Sequence, residues 1–510
     1  MTGAPGTPAL LATYRLQLHA GFTFADAADV VPYLADLGVS HLYLSPIQQA
    51  VPGSTHGYDQ CDPTRISEEL GGEPGFLRLV DQTRAHGMGI VLDIVPNHMA
   101  ATDANPWWWE LLKSGRRGRA GNYFDIDWAP GDRELDGRVM LPVLGRPLEE
   151  AVSAGEVTRS VRDGDPVLVY FDQSFPLREP VRQALVSTEL LDRQHYLMAF
   201  WREAQQRLNY RRFFDINSLV ALREEDPAVF AAVHDLPLRL LADGLVQGLR
   251  VDHVDGLRDP QGYLDALRGQ APGAWLLVEK ILESGERLPA AWPADGTTGY
   301  DFIHRLQGVF IDPLGEEPMT ATYGKFTGDE VAYPAVVLEA KREAAASLFG
   351  SDFARLERAF SRVCTDRGVS AEPAARVAVL TTVAACLPVY RTYTRTGDAA
   401  GDADRGYTLT AAAAARAMDP GLDSRLVDLL VTALLGEVEG ADAGELTARF
   451  QQLSGPLMAK GVEDTAFYRY NRLVCLNEVG ADPGTFGVSL DEFHAASRET
   501  LASHPTTLLG

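Results

Sequence analysis

The chain has 510 residues and a formal net charge of −24, with 46% hydrophobic and 23% charged residues. This length is too great for one simple core, so we expect a globular protein of two or three domains. The negative charge argues against binding to nucleic acid or to an anionic membrane, because such partners need a basic surface. A neutral substrate such as a sugar fits this charge, although composition alone does not select one.

The cysteines and the N-terminal segment bear on the cellular setting. Four cysteines are scattered along the chain with no CxxC pair, which predicts neither a disulfide framework nor a cysteine-bound metal cluster. The first residues, MTGAPGTPALLATYRL, lack the basic and apolar regions of a signal peptide. No apolar run approaches the roughly 20 residues of a membrane span. We therefore expect a cytoplasmic protein.

Predicted strands and helices alternate through the first 310 residues. The apolar patterns predict strands over residues 12–18, 41–47, 89–98, 248–254 and 274–282, and helices over Asp26–Leu37 and Phe76–His86. Apolar strands interleaved with helices predict a parallel sheet covered on both faces, or a parallel barrel.

Two regions depart from this alternation. Short strand-like pieces among Gly, Pro and Asp predict a loop-rich inserted subdomain, and a long later region is mostly helical, with an alanine-rich helix over residues 408–419. The polar segment DAAGDADRG (398–406) is interpreted as a mobile linker. The expected division is a first barrel part (1–104), the inserted subdomain (105–190), a second barrel part with the catalytic strands (191–312) and a mainly helical domain (313–510).

Polar residues follow the predicted strands at matching positions. HGYDQCDP (56–63) follows the second strand, and the later strand ends carry Asp93, Asn97, His98, Arg250, Asp252, His253, Glu279 and Lys280. In (β/α) barrels the carboxyl ends of the strands form the active face. Any one of these segments alone could be a solvated loop, but four at matching strand ends favour an active site.

Strand spacing distinguishes the charged residues of GLRVDHVDGLRDP (248–260). Arg250 and Asp252 are two positions apart and share one face, where the arginine would lower the pKa of the carboxyl and keep it ionised. His253 alternates to the other face unless the strand has already ended. The remaining charges are interpreted as a solvated loop: Asp255, Arg258 and Asp259.

A second carboxyl group completes a pair suited to a glycosidic bond. Glu279 follows the apolar run 276–278, and a carboxyl at the end of a dry strand tends to have a raised pKa, which suits a general acid. An ionised Asp252 can act as the nucleophile. A separation of about 5 Å between the two carboxyl groups would indicate retention of anomeric configuration.

A metal site is the alternative for these strand ends. Asp93, His98, His253 and Glu279 are side chains of the types that bind zinc or manganese. However, no HxH or HxxxH pair lies near the strand ends, and Arg250 beside Asp252 would repel a cation. We expect no metal and no cofactor.

Taken together, these segments resemble the α-amylase superfamily (glycoside hydrolase family 13). DIVPNH, GLRVDHVD and VEK are similar to three of its four short signature regions, and HGYD to a turn that supplies a tyrosine to the sugar subsite. Over essentially the whole chain, more specific segments resemble the maltooligosyltrehalose synthase family: ATYRLQLHAGFTF, NYRRFFDINSL, TTGYDF, PVYRTY and MAKGVEDTAFYRYNRL.

The resemblance implies an α/β fold, a (β/α)8-type TIM barrel, with Asp252 as nucleophile and Glu279 as general acid and base. The −1 sugar subsite would be lined by Tyr58, Asp93, His98 and Arg250, and by His253 if the strand has ended. The pocket for the second sugar would draw on His195, Tyr196, Arg211, Arg212, Asp215, Lys460, Glu463, Asp464, Phe467 and Tyr468. The segment NYRRFFD could equally be a packed helix edge with salt bridges, whereas Lys460, Glu463, Asp464 and Phe467 have the spacing of one helical face.

The implied reaction is an intramolecular transglycosylation on maltooligosaccharides. It converts the reducing-end α-1,4 linkage into an α,α-1,1 linkage, a glucosylmutase reaction of trehalose biosynthesis. A trehalose-releasing hydrolase is the expected functional partner. A retaining α-glucan hydrolase and a non-catalytic glucan-binding protein are the alternatives. Calcium occurs in the wider superfamily, but no clear site for it is apparent in this sequence.

One part of the resemblance is missing. The superfamily's fourth region, a His-Asp pair that supplies a third carboxylate, is not found before the terminal ASHPTTLLG. We therefore expect an incomplete barrel of about six strands, combined with the inserted subdomain and a large helical insertion. We also expect this chain alone to have little or no activity.

Overall fold

The structure is a computed structural model that describes residues 10–178, 186–328 and 331–507. The chain divides into two compact units. The first unit contains the residues up to Asp252 together with Gly269–Trp275, and the second contains His253–Arg268 and the residues from Leu276 onward. The four-part division expected from the sequence stays a prediction.

The strands of the described residues are short, and most of them lie in the first unit. They are β1 (Thr13–Leu16), β2 (His41–Leu44), β3 (Gln48–Ala50), β4 (Gln60–Ile66), β5 (Gly89–Ile94), β6 (His98–Ala100), β7 (Val139–Leu144), β8 (Val157–Arg162), β9 (Asp165–Tyr170), β10 (Gln173–Pro176), β11 (Tyr196–Phe200), β12 (Arg212–Phe213), β13 (Ile216–Ala221), β14 (Gly248–Val251), β15 (Trp275–Val278) and β16 (Gly296–Thr297).

The largest sheet has six strands in the order β1-β2-β5-β14-β15-β16. Within the first unit β1 pairs with β2, β2 with β5 and β5 with β14, all in parallel. Within the second unit β15 pairs in parallel with β16. All six residues of β5 are buried, as expected for a parallel strand covered on both faces. The expected incomplete TIM-type sheet is thus confirmed. In the first unit the carboxyl ends of β1, β2, β5 and β14 lie along one edge of the sheet.

Side chains cap the N-termini of several helices of the first unit. They are α1 (Phe24–Asp36), α2 (Gly72–Ala85), α3 (Pro106–Ser114), α4 (Leu148–Ser153), α5 (Thr188–Asp192), α6 (Ala204–Arg207) and α7 (Pro227–Ala242), while α8 (Pro260–Gln270) contains residues of both units. At the start of α1, Asp26 accepts hydrogen bonds from the backbone N–H and the hydroxyl of Thr23 at 2.7 and 2.8 Å. Asn105 caps α3 by accepting from the next two tryptophan N–H groups, and Pro106 occupies the first helical position.

Smaller sheets pack around a hydrophobic core in the first unit. Strands β8, β9 and β10 form an antiparallel sheet, β7 pairs with β11, and β6 joins β13 and β12. The core beneath them extends from Met99 to Val233 and includes the fully buried rings of Trp108, Phe124 and Tyr196. This core contains residues of the expected inserted region (105–190) together with residues before and after it.

The second unit is mainly helical, as expected. Its helices are α9 (Tyr300–Val309), α10 (Glu316–Thr327), α11 (Tyr333–Ser347), α12 (Gly350–Asp366), α13 (Pro373–Ala385), α14 (Asp402–Met418), α15 (Ser424–Leu434), α16 (Ala441–Met458), α17 (Phe467–Arg469) and α18 (Leu490–Ser503). A π-helical segment, Ala459–Ala466, follows α16 directly. Helices α12, α13, α15 and α16 share a core that includes Phe360, Leu430 and Phe450.

Two predicted elements are corrected. The strand expected over residues 89–98 is two strands in different sheets, because the chain turns at Val95–Pro96 and proline cannot continue the hydrogen-bond ladder. The linker expected over residues 398–406 is only partly a loop, since its second half forms the first turn of α14. Asp402 and Asp404 lie in that turn, where a helix N-terminus favours negative charge.

The cysteines and the helices bear on two expectations from the sequence. The four cysteines are free thiols, and Cys61 and Cys364 are buried. Among the described residues, no helix has both the length and the apolar character needed to cross a membrane.

Candidate active site

Asp93, near the end of β5, is the centre of a hydrogen-bond cluster in the first unit. It is fully buried, and its Oδ2 accepts from Arg15 Nη1 at 3.1 Å, Tyr43 OH at 3.1 Å and Tyr58 OH at 2.6 Å. Strand register accounts for the arrangement, because Arg15 pairs with Tyr43 across β1 and β2. A buried carboxylate with this many donors is held in one orientation.

Arg250 connects Asp93 to Asp252. It lies opposite Asp93 in the register of β14 and β5, and its Nη1 donates to Asp93 Oδ1 at 2.8 Å and to Asp252 Oδ1 at 2.6 Å. Arg250 and Asp252 therefore meet on one face, as the strand spacing predicts. The cation favours the ionised form of Asp252, which is the form that a nucleophile needs.

The two tyrosines of the cluster act as neutral donors. Burial raises the pKa of Tyr58 and of Tyr43, and the negative charge of Asp93 acts in the same direction. Tyr58 also accepts a hydrogen bond from Arg15 Nη2 at 2.8 Å. Both phenols therefore keep their protons at neutral pH and hold Asp93 in place.

Glu279 follows β15 in the second unit and is held by a backbone donor. Its Oε2 accepts from the backbone N–H of His253 at 2.8 Å. His253 has φ of 47° and ψ of 49°, a left-handed conformation unusual for a residue with a side chain. Strand β14 ends at Val251, so the condition under which His253 could face the site is met, and its backbone is what binds Glu279.

The loop after His253 is held in place by hydrogen bonds from side chains that lie much later in the sequence. Arg391 is almost fully buried, and its Nη1 donates to the carbonyl oxygens of Asp255 and Leu257, both at 2.7 Å. Gln452 Nε2 donates to the Gly256 carbonyl at 3.1 Å. This support keeps the His253 N–H directed at Glu279.

Asp255 is buried, so the expectation of a solvated loop is wrong for this residue. Its Oδ1 accepts from Tyr393 OH at 2.5 Å, and its Oδ2 lies 3.5 Å from Lys280 Nζ. Lys280 is also 2.9 Å from Glu286, and these two acids outweigh the effect of burial and raise the pKa of the lysine. The other two loop charges are partly buried in ion pairs, Arg258 with Glu445 and Asp259 with Arg395.

Glu463 is a second carboxyl group close to Glu279 in the second unit. Burial raises the pKa of Glu463 to about 7, and the neighbouring charges of Asp464 and Glu279 act in the same direction. The hydroxyl of Tyr390 donates to Glu463 and opposes this shift. Glu463 is therefore a group that titrates near neutrality beside the expected acid.

The segment that contains Glu463 differs from the expected α-helix. Residues Ala459–Ala466 form a π-helix, in which the turn is wider than in an α-helix. Lys460 still pairs with Asp464 at 2.7 Å, but Phe467 is buried while Asp464 and Tyr468 are exposed. The expected single face of Lys460, Glu463, Asp464 and Phe467 is not formed.

Two residues predicted for the pocket, Tyr196 and His195, have packing contacts in the first unit. Tyr196 belongs to the core beneath the smaller sheets, and its hydroxyl donates to the Pro176 carbonyl at 3.0 Å. His195 is half-buried next to Gly115, and burial lowers its pKa. A sequence pattern alone could not separate these packing roles from substrate contacts.

The RRFFD segment forms a short strand and its turn. Arg212 is buried, and its Nη1 donates to the Asp215 carbonyl at 3.0 Å and to Asn217 Oδ1 at 2.6 Å. Arg211 instead extends to Asn97, to which its Nη1 donates at 2.8 Å. Arg211 thus contacts the residue immediately before His98.

Residues missed from the sequence include Arg15 and Tyr43. Both lie within predicted strands and stand one position before the end of an observed parallel strand. A polar side chain near the end of a predicted parallel strand is the signal that could have found them. Tyr390, Tyr393 and Arg391 belong to PVYRTY, a segment noted only for its resemblance. Among the described residues, no group of three or more His, Cys, Asp or Glu side chains is arranged to hold a metal ion.

Comparisons with known proteins show which proteins the chain is similar to. Residues 26–144 match the family of α-amylase catalytic domains. A putative maltooligosyl trehalose synthase of Mycobacterium tuberculosis is 42% identical over 98% of this chain and 62% of its own length. The structure of maltooligosyltrehalose synthase from Arthrobacter ramosus superposes with a TM-score of 0.86 at 42% identity, covering 97% of this chain and 61% of that one.

A more distant structure, a hypothetical maltooligosyl trehalose synthase of Sulfolobus tokodaii, is 34% identical with a TM-score of 0.78 and covers 96% of this chain and 60% of its own. The chain thus spans about three-fifths of the length of these relatives. The similarity to maltooligosyl trehalose synthases extends over nearly all residues of this chain, and residues 26–144 are also similar to α-amylase catalytic domains.

Proposed function

We propose that this chain carries the acid pair of an enzyme that rearranges the reducing end of maltooligosaccharides. The reaction is an intramolecular transglycosylation, a glucosylmutase activity that turns an α-1,4 linkage into an α,α-1,1 linkage. The observation that carries the proposal is the contact of Arg250 with both Asp252 and Asp93. The similarity to maltooligosyl trehalose synthases over 97–98% of the chain supports the same reaction.

In the first step Asp252 attacks the anomeric carbon of the second glucose from the reducing end. The bond from this carbon to the leaving oxygen breaks, and Glu279 gives its proton to that oxygen. The products are a glycosyl ester on Asp252, a free glucose and an ionised Glu279. Arg250 holds Asp252 ionised before the attack.

In the second step the freed glucose turns without leaving its pocket. Glu279 takes the proton of the anomeric hydroxyl of the freed glucose. The oxygen of that hydroxyl attacks the anomeric carbon of the glycosyl group bound to Asp252, and the bond from this carbon to the Asp252 carboxylate breaks. No water is consumed, so the product has the same length as the substrate and no reducing end. Exclusion of water from the pocket is therefore essential to the outcome.

The remaining site residues are proposed as sugar ligands. Tyr58, Asp93, His98 and His253 would contact the sugar at which the linkage is cleaved. Among the residues named from the resemblance for the second sugar, Glu463 is supported most directly, because it lies close to Glu279. A trehalose-releasing hydrolase would be the functional partner that uses the product.

The test is the identity of the product from maltopentaose. Because little activity is expected from this chain alone, protein and substrate are used at equal concentrations, so that a single slow turnover is detected. We expect loss of reducing ends and appearance of an α,α-1,1 anomeric signal in proton NMR, without glucose release. Asp252→Asn and Glu279→Gln should abolish this conversion, while Asp491→Asn on the exposed start of α18 should not. Glucose and shorter glucans would indicate a hydrolase, and binding without any conversion would indicate a glucan-binding protein.

A further inference from the structure

A continuous row of polar side chains connects Asp125 to His98 in the first unit. Arg211 Nε donates to Asp125 Oδ2 at 3.0 Å, and Arg211 Nη1 donates to Asn97 Oδ1 at 2.8 Å. The amide nitrogen of Asn97 lies 3.3 Å from His98 Nδ1. Asn97 is 0% exposed and His98 1%, so water does not compete for these contacts.

We propose that Arg211 is a positioning residue that fixes the tautomer of His98. A guanidinium group can only donate hydrogen bonds, so Asn97 must present its amide oxygen to Arg211. The amide NH2 of Asn97 then faces His98 and can itself only donate. His98 Nδ1 must therefore accept, and the proton of the neutral ring lies on Nε2.

The guanidinium of Arg211 is held on three sides. Besides its contacts with Asp125 and Asn97, its Nη2 donates to the Leu222 carbonyl at 3.1 Å. The backbone N–H of Arg211 donates to the Asp125 carbonyl at 2.9 Å. The guanidinium group that donates to the Asn97 amide is therefore fixed in orientation.

The imidazole ring is also held by its neighbours. The ring centroids of His98 and Phe213 are 4.4 Å apart, and His98 pairs with Ala221 across β6 and β13. Ring packing fixes where the two nitrogens lie, and Asn97 decides which of them carries the proton. Arg211 thus determines the hydrogen-bonding character of a ring that it does not touch.

The consequence for a sugar ligand is a fixed donor. His98 Nε2–H can donate to a hydroxyl oxygen, whereas the other tautomer would offer an acceptor at that position. This consequence rests on the proposed function, but the tautomer itself does not, and it can be measured without any substrate.

The direct test is nitrogen-15 NMR of the 510-residue chain labelled at histidine. The His98 signals are identified by their absence from His98→Gln. In long-range proton–nitrogen correlations at pH 7.5, we expect an unprotonated Nδ1 and a protonated Nε2 for His98. A protonated Nδ1, or averaged shifts of two exchanging tautomers, in the wild-type protein would overturn the proposal.

Substitutions separate positioning from a structural role. In Asn97→Asp a carboxylate oxygen replaces the amide NH2, so the His98 signals should reverse to a protonated Nδ1 or to an imidazolium. In Arg211→Met the donor to the Asn97 amide oxygen is lost, and averaged His98 shifts are expected in a folded protein. Arg223→Gln, which removes a surface arginine paired with Glu225, should leave the spectrum unchanged. An unchanged His98 tautomer in folded Asn97→Asp or Arg211→Met would refute the role of Arg211.

The proposed function is judged by a separate measurement. Failure of the wild-type chain to bind maltopentaose, together with a fixed Nε2–H tautomer, would count against the sugar-processing activity and support the positioning role of Arg211.

Discussion

Arg250 and Asp93 lie opposite each other in neighbouring parallel strands, and their side chains meet at 2.8 Å. Both are almost fully buried, with side-chain exposures of 4% and 0%. A buried ion pair of this kind tolerates the loss of one partner poorly, because the other charge remains in the interior without compensation.

We predict that Asp93→Ala lowers the free energy of unfolding by about 3–5 kcal/mol, the usual cost of breaking a buried charge pair. Urea unfolding followed by tryptophan fluorescence measures the effect. The control is Arg65→Ala, which breaks an exposed pair with Asp62 and should cost no more than about 1 kcal/mol. Equal costs for the two variants would contradict the central place of Asp93.

Lys280 provides a second stability prediction. Its removal in Lys280→Met leaves the carboxyl groups of Asp255 and Glu286 buried near each other, so we expect a loss of about 3–5 kcal/mol. Adding Glu286→Gln should recover part of that loss, and a double-mutant cycle measures the coupling. Lys325→Met on the exposed side of α10 serves as the control. If the losses of unfolding free energy from Lys280→Met and Glu286→Gln simply add in the double variant, the proposed coupling between the two residues is contradicted.

The left-handed backbone of His253 can be tested by side-chain type. Asn tolerates this conformation and a β-branched residue does not, so His253→Val should be less stable than His253→Asn by roughly 1–2 kcal/mol. Thermal unfolding of the two variants measures the difference. The two should be equally stable if the backbone at this position is instead extended in solution.

The raised pKa of Glu463 should make the stability of the folded chain depend on pH. Burial raises its pKa in the folded chain to about 7, above its ordinary value near 4.5, so the folded state binds the proton more tightly. Its contribution to stability is fully present below about pH 4.5 and is lost as the pH rises through 7. Glu463→Gln should therefore show a smaller fall in melting temperature between pH 5 and 8 than the wild type.

The matched control for this pH effect is Glu317→Gln, an exposed glutamate at the start of α10. Its melting temperature should follow the wild-type curve. A Glu463→Gln curve parallel to both would show that another group carries the pH dependence.

Much of the sheet could be predicted from the sequence because its strands are short apolar runs between helices with recognisable caps. The errors lie where one apolar run serves two elements. Val95 continues the apolar pattern of β5, so the two strands on either side of Pro96 were merged into one. The linker error has a similar origin, because acidic residues that begin a helix have the same composition as a polar loop.

The candidate site was less predictable where contacts join distant parts of the chain. Strand spacing was enough to place Arg250 beside Asp252, two positions away. It could not reveal that Asp255 is buried, because its partner Tyr393 stands 138 positions later. Arg211 and Asn97 are 114 positions apart, and their contact likewise depends on tertiary structure.

The loop after His253 has a consequence for the order of events during synthesis on the ribosome. Its carbonyl groups are bound by Arg391, 136 positions after Asp255, and by Gln452, 196 positions after Gly256. At roughly 5–20 residues per second, the last of these donors is made about 10–40 s after the loop itself. During that interval the loop lacks the hydrogen bonds from Arg391 and Gln452. The His253 N–H that orients Glu279 can therefore reach its final position only after the helical region has been synthesised.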